Sequence, residues 1–310
     1  GHFNSIHQIQ FSIQEFRRPE FEMKVTSSKG TTLLFGDSTS LTANAKYFAG
    51  GSLKGSPINW RVQATTSAYS PPGWQGFRFG QDNPYWVRSW IIPHPVKSVT
   101  KSIQTHADAD GQSTIELKPD FLLEPRPVSC KCEATIQDVN RQSWSDNVKV
   151  LVHPSDTYIG VKQDKWFYRV NDPIKLDLIA VDLDGKVREG RPIKVELLKM
   201  EETKDHKQKE VKVETREFTS GKLPLQCTFK VDKGGSYKSV CTVKDAKDRI
   251  NETVISTYIQ DDKATALKTL QSDKIVVIPD KEKYQPGYTA KLMVSSPFFP
   301  ANGILTIRRH

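Results

Sequence analysis

Long apolar runs are missing from this chain of 310 residues. A membrane-spanning helix needs roughly 20 consecutive apolar residues, and no stretch comes close. Helical periodicity is scarce as well, which argues against a bundle. There are four cysteines, too few for a scaffold built on disulfides. The seven histidines (His2, His7, His94, His106, His153, His206 and His310) fall with no H-x-H or i, i+4 pairing. That scatter offers no metal-ligating array. Nucleophile-elbow, P-loop and dinucleotide signatures are all lacking. Carboxylate pairs are common, but no pair has a context that sets it apart. The chain therefore reads as no enzyme, with no catalytic, cofactor-binding or metal residues and no cofactor. No secretory leader is visible, and Gly1-His2 reads as a tag remnant ahead of a chain that starts in mid-strand.

Charge is plentiful and mixed. Lys and Arg number 45 against 36 Asp and Glu, a net +9. A basic excess raises the question of nucleic acid. The charges alternate along apparent strands, however. The densest stretch, Lys199 to Glu217, carries both signs and reads as a solvated hairpin. Nucleic acid is not expected as a partner.

What is present is period-2 alternation. Phe11-Ser-Ile13, Phe21-Glu-Met23-Lys-Val25, Ile58-Asn-Trp60-Arg-Val62, Ile193-Lys-Val195-Glu-Leu197, Cys227-Thr-Phe229-Lys-Val231 and Ile304-Leu-Thr-Ile307 all alternate. Clusters of Gly, Pro, Asp and Asn separate them. The pattern predicts an all-β chain of tandem antiparallel β-sandwiches.

The chain also repeats itself. I-G-V-K-Q-D-K-W-F-Y-R-V-N-D-P-I-K-L at 159–176 aligns without a gap on I-V-V-I-P-D-K-E-K-Y-Q-P-G-Y-T-A-K-L at 275–292, an offset of 116 residues. Asp164, Lys165 and Tyr168 fall on Asp280, Lys281 and Tyr284. A period of this size is that of a whole small β-domain. Tyr168 and Tyr284 are expected at equivalent, largely buried core positions. With Pro19 and Pro154 as joints, the expected division is as follows. Residues 1–18 are the last strand of a preceding domain. Residues 19–154 form one sandwich with an aromatic insertion, 155–262 form a second, and 263–310 begin a truncated third.

Several motifs have two readings. Asp108-Ala-Asp110-Gly111 and Asp182-Leu-Asp184-Gly185 place carboxylates at alternate positions before a glycine. They read as hairpin turns, with calcium as the competing reading. Cys130 and Cys132 share one face of a strand and cannot bond to each other without strain. Cys227 and Cys241 lie symmetrically about Gly234. That symmetry predicts a cross-strand pair on a hairpin turning at 232–235, either as a disulfide or as two small buried side chains. The insertion from Ala68 to Pro95 carries Tyr69, Trp74, Phe77, Phe79, Tyr85, Trp86 and Trp90. It reads as folding back on its own sandwich, and a sugar-stacking platform is the alternative. Asn251-Glu252-Thr253 is a glycosylation sequon.

In this order, the residues resemble a known family. E-F-R-R-P-E-F-E-M at 15–23, K-Y-F-A-G-G-S-L-K-G-S-P-I-N-W-R-V at 46–62, the repeated D-K-x-x-Y and D-K-E-K-Y-Q-P-G-Y-T-A-K-L-M-V-S-S-P-F at 280–298 are similar to macroglobulin-like domains of bacterial-type α-2-macroglobulins. The resemblance implies macroglobulin-like, fibronectin-III-like sandwiches belonging to a broad-spectrum endopeptidase inhibitor. Such an inhibitor traps a protease after a bait segment is cut, often through a Cys-Gln thioester. No C-x-E-Q occurs here and no bait segment is evident, so the expected role is scaffold. The implied partners are target proteases, met through the parent protein, and neighbouring macroglobulin-like domains. The implied location is periplasmic or extracellular. A carbohydrate or cell-envelope binding module and a structural or adhesive array are the alternatives.

Overall fold

The computed structural model describes residues 20–81, 98–119, 125–202, 208–260, 275–281, 284–295 and 302–306. The regular elements found there are strands, eighteen of them. No helix among the described residues is long and apolar enough to cross a membrane. The alternating run at 3–16 lies outside the described residues. Residues 302–306, which include the start of the run at Ile304, take no regular structure.

The first sandwich stacks two sheets. One has the order β1 (Phe21–Ser27), β3 (Thr39–Tyr47), β6 (Gln112–Leu117). The other runs β2 (Thr32–Leu34), β8 (Ser143–His153), β7 (Val128–Gln137), β4 (Pro57–Thr66), β5 (Ser98–His106). Alternation in β1, β4 and β7 sends every second side chain into one shared core. Trp60 is its largest member, 1% exposed. Its indole Nε1–H donates to Ser113 Oγ at 3.1 Å, from one sheet to the other. A buried indole needs such an acceptor, because an unmade bond in that setting costs about 1–3 kcal/mol. Cys130 and Cys132 both point into this core as free thiols.

The second sandwich faces β14 (Leu225–Phe229), β11 (Ile174–Asp182) and β9 (Thr157–Gln163) against a five-stranded sheet. That sheet has the order β10 (Phe167–Arg169), β16 (Ile250–Gln260), β15 (Gly235–Lys244), β12 (Pro192–Glu202), β13 (Gln208–Thr219). The charged β12–β13 hairpin forms as read, with a register shift at Leu197/Leu198. Here the alternation fails in an informative way. From Thr157 to Val161 and from Leu178 to Asp182, both faces are buried. Something covers the outer face of β9 and β11 as well as the inner one.

A last hairpin, β17 (Val276–Pro279) with β18 (Leu292–Ser295), reproduces the repeat in three dimensions. Leu176 pairs with Gln163 as Leu292 pairs with Pro279, and Leu178 with Val161 as Val294 with Val277. The register is conserved residue for residue across the 116-residue offset. The exposure is not. Leu176 and Leu178 are fully buried, while Leu292 is 39% and Val294 53% exposed. The hairpin instead buries its opposite face, where Ile278 and Met293 pack against Tyr258, Trp166 and Phe167.

Candidate functional site

No group of three or more His, Cys, Asp or Glu among the described residues is placed to hold a metal. The D-x-D-G pieces explain part of this. Asp108 Oδ1 accepts the N–H groups of Asp110 and Gln112, and Asp182 Oδ1 accepts those of Asp184 and Lys186. The carboxylates thus pin their own turns. The device recurs twice without the glycine. Asp138 accepts from Asn140 and Gln142, and Asp245 from Lys247 and Arg249. There Arg141 (φ 63°) and Asp248 (φ 58°) supply the left-handed residue. These two turns escaped the sequence reading because Gly was its signal.

Asp245 does more than turn a hairpin. Its Oδ2 accepts from Ser155 Oγ (3.1 Å), Asp156 N (3.2 Å) and Arg249 Nε (2.7 Å). It thereby ties the joint after Pro154 to the second sandwich. Burial works against its ionisation, but the backbone and Arg249 hydrogen bonds outweigh that and hold its pKa below the ordinary value.

The cysteine expectation is corrected. Cys227 on β14 pairs with Leu176 of β11, whereas Cys241 on β15 lies between Val195 and Thr253 in the opposite sheet. The segment between them crosses from one sheet to the other instead of closing a hairpin. Its symmetry about Gly234 gave the shared inward face but the wrong ladder. Both are free thiols buried in one core. Desolvation raises the pKa of each, that of Cys227 to about 11, so neither is a ready nucleophile.

The repeat tyrosines make matching bonds. Tyr168 Oη donates to Asp164 Oδ1 at 2.5 Å, and Tyr284 Oη to Asp280 Oδ1 at 2.6 Å. Tyr168 is 2% exposed and sits in the second core, while Tyr284 is half-buried. The sequon is structural. Asn251 is fully buried, and its Oδ1 accepts Ile159 N–H at 3.0 Å, so it offers no acceptor for a glycan in the folded chain.

The described part of the aromatic insertion, 68–81, packs mainly on the second sandwich. Tyr69, Trp74, Phe77 and Phe79 cluster with Tyr158, Ile179, Val181, Leu183 and Val187. Tyr69 Oη donates to Leu183 O (2.7 Å) and Trp74 Nε1 to Gly185 O (2.8 Å). The Tyr69 ring also meets His153 edge-on, with centroids 4.6 Å apart. Buried His153 Nδ1 lies 2.7 Å from Tyr158 Oη, and desolvation lowers its pKa to about 4. Rings held in this way present no platform to a sugar. Tyr85, Trp86 and Trp90 lie outside the described residues. The signal for this joint was in the sequence. Tyr158-Ile-Gly-Val161 and Leu178-Ile-Ala-Val181 are unbroken apolar runs, which a strand with one wet face does not need.

The architecture is that of macroglobulin-like β-sandwich domains in tandem. No family model matches the chain. An α-2-macroglobulin homolog from Nostoc sp. is 22% identical over 305 residues, covering 94% of this chain and 16% of that protein. Circularly permutated Ras protein 2 of Dictyostelium discoideum is 27% identical over 186 residues, 56% of this chain and 5% of that protein. Among solved structures, native E. coli α-2-macroglobulin overlays with a TM-score of 0.53 at 16% identity, covering 91% of this chain and 19% of that one. The trypsin-activated E. coli form gives 0.55 at 16% identity, with 91% and 20% covered. In sequence and in fold the chain is similar to α-2-macroglobulins, and it spans about one-sixth of the curated relative's length.

Proposed function

We propose that the chain is scaffold from an α-2-macroglobulin-like broad-spectrum endopeptidase inhibitor, a protease trap, and not an enzyme. The observation that carries this reading is a match running along nearly the whole chain, in sequence and in fold, to proteins of that name. Residues 19–154 and 155–262 then act as two macroglobulin-like units, and a third starts at 263. The exposed Leu292 and Val294 face support that third unit, because they align with core Leu176 and Leu178 of the second. A two-stranded hairpin with one such face needs further strands to be stable. The bait and any thioester belong to other parts of the parent protein, which meets its target proteases in the periplasm or outside the cell.

The test is a paired assay with one broad-specificity protease. Cleavage of a large protein and of a small peptide is followed with the chain and, separately, with its full-length parent. The chain should leave both activities unchanged, and the parent should suppress only cleavage of the large substrate. Selective suppression by the chain alone would overturn the scaffold assignment. A parent without effect would overturn the inhibitor reading. Binding in a glycan screen would restore the carbohydrate alternative, which the inward-turned rings do not support.

A further inference from the structure

The second sandwich is open along one side, and a segment of the first closes it. β9 ends one sheet. In the other sheet, β10 covers β16 only from Tyr258 to Gln260, which leaves the earlier part of β16 as a bare edge. Bare edges demand partners for their N–H and C=O groups. Residues 78–81 supply them to both sheets. Arg78 and Val161 exchange two backbone hydrogen bonds of 2.9 Å on the β9 side. On the β16 side, Val254 N–H donates to Gly80 O and Gly80 N–H to Thr253 Oγ1, each at 2.9 Å. Between these stitches Phe79 turns inward and is 8% exposed. Its ring occupies the space a side chain at position 160 would need: a Cβ there would lie 2.7 Å from Phe79 Cζ.

We propose that residues 69–81 form a latch that locks the two sandwiches in one relative orientation, and that it opens locally, without unfolding either sandwich. Local opening follows from the scale of the contacts. The latch is held by a few backbone bonds, a handful of bonds that involve side chains and one deeply set ring, whereas each sandwich has a core of its own. Segments with few buried contacts open at free energies well below that of global unfolding. Once open, what remains is the joint at His153-Pro154 and the contacts of Pro125 and Arg126 with Glu252 of β16. Arg78 extends the lock to the β17–β18 hairpin. Its guanidinium lies 3.7 Å over the Trp166 ring, and Trp166 N–H donates to Asp280 O at 3.0 Å. This inference is independent of the inhibitor reading.

The test is amide hydrogen exchange on the full chain, combined with small-angle scattering. Phe79→Ala should speed exchange at 159–161 and 250–254 by about tenfold or more. Protection in β4, β7, β12 and β13 should stay at the wild-type level, and the scattering should broaden to a range of inter-sandwich orientations. Gly160→Ala, which pushes on the same ring from the other side, should give the same pattern. Unchanged exchange at Val161 and Val254 in both variants would overturn the proposal. So would loss of protection throughout the second sandwich in both, since the segment would then be part of its core and no latch.

Discussion

Replacing Tyr168 should unravel the second sandwich selectively. The side chain stands on the three-residue strand β10, which joins its sheet through three parallel pairs to β16. A strand so short holds its place largely by what its one inward residue fills. Tyr168 is 2% exposed in a core shared with Ile159, Leu176 and Ile259. Truncating a fully buried aromatic residue to Ala costs about 3–5 kcal/mol, transfer and cavity together. The hydroxyl adds little, because Asp164 is exposed and water can replace the bond; that bond is worth about 1 kcal/mol. Tyr168→Ala should therefore cost about 4 kcal/mol and Tyr168→Phe about 1.

A chain with several cores does not unfold in one step, so a single melting curve is the wrong probe. Hydrogen exchange in rising urea separates the units. Peptides from β11, β12 and β15 report the second core, and those from β4 and β7 the first. At a slope of about 2 kcal/mol per molar, the Ala variant should lower the second midpoint by about 2 M urea and leave the first in place. A shift under about 0.5 M would show that the ring is not a core element at this site. An equal loss in β4 and β7 would show that the two cores are not separate. Tyr284→Ala, at a half-buried position, should cost clearly less than Tyr168→Ala.

Three further outcomes are expected. Asp245→Ala removes the acceptor for Ser155, Asp156 and Arg249 and should cost about 3 kcal/mol, read as lost protection at 155–157 and 245–249. Because the folded pKa of Asp245 is depressed, its contribution is present above the unfolded carboxylate pKa and is lost as pH falls through the folded one; the Ala variant should lack that acid-side loss. His153 is held neutral at a pKa of about 4 against an ordinary 6.5, so the unfolded chain binds the extra proton between those values. Stability should fall by about 3 kcal/mol from pH 6.5 to 4, and His153→Phe should flatten that slope in a urea series. Gly185→Ala places a Cβ 2.1 Å from Pro72 O at φ +81°, and should both cost about 1–2 kcal/mol and lift Trp74 from its acceptor, seen as a red shift in tryptophan emission.

Alternation and Asp-rich turns were enough to reveal sandwiches, since both are local. The offset of 116 residues went further, because it carried the strand register from β9–β11 to β17–β18 unchanged. Partner choice was not legible. Nothing local says that the chain after Phe229 crosses to the facing sheet, so Cys227 and Cys241 were read as neighbours on one hairpin. Nor does the composition of the aromatic insertion say which sandwich receives it. Only the double-sided apolar runs at 158–161 and 178–181 mark the receiving surface. The turns at Asp138 and Asp245 were missed for another reason. A left-handed backbone at Arg141 and Asp248 is paid for by the hydrogen bonds of the aspartate three positions earlier.

The inverted burial of the last hairpin and the double burial of β9 and β11 have one physical explanation. In each case the preceding sandwich lays aromatic side chains on the outer face of the ladder that follows it. The first unit sets Tyr69, Trp74, Phe77 and Phe79 beside Tyr158 and Ile179. The second sets Trp166, Phe167 and Tyr258 beside Ile278 and Met293. On that outer face the first ladder has Gly160, which leaves room for a ring, and the second has Ile278, which aligns with Lys162 and packs against the rings itself. Burial of apolar faces at both joints resists free pivoting, since each would have to expose large rings to water. Trp166 belongs to both joints, beneath Arg78 from one side and bonded to Asp280 on the other. A disturbance at the first joint therefore has a short, contiguous route to the second through a single residue.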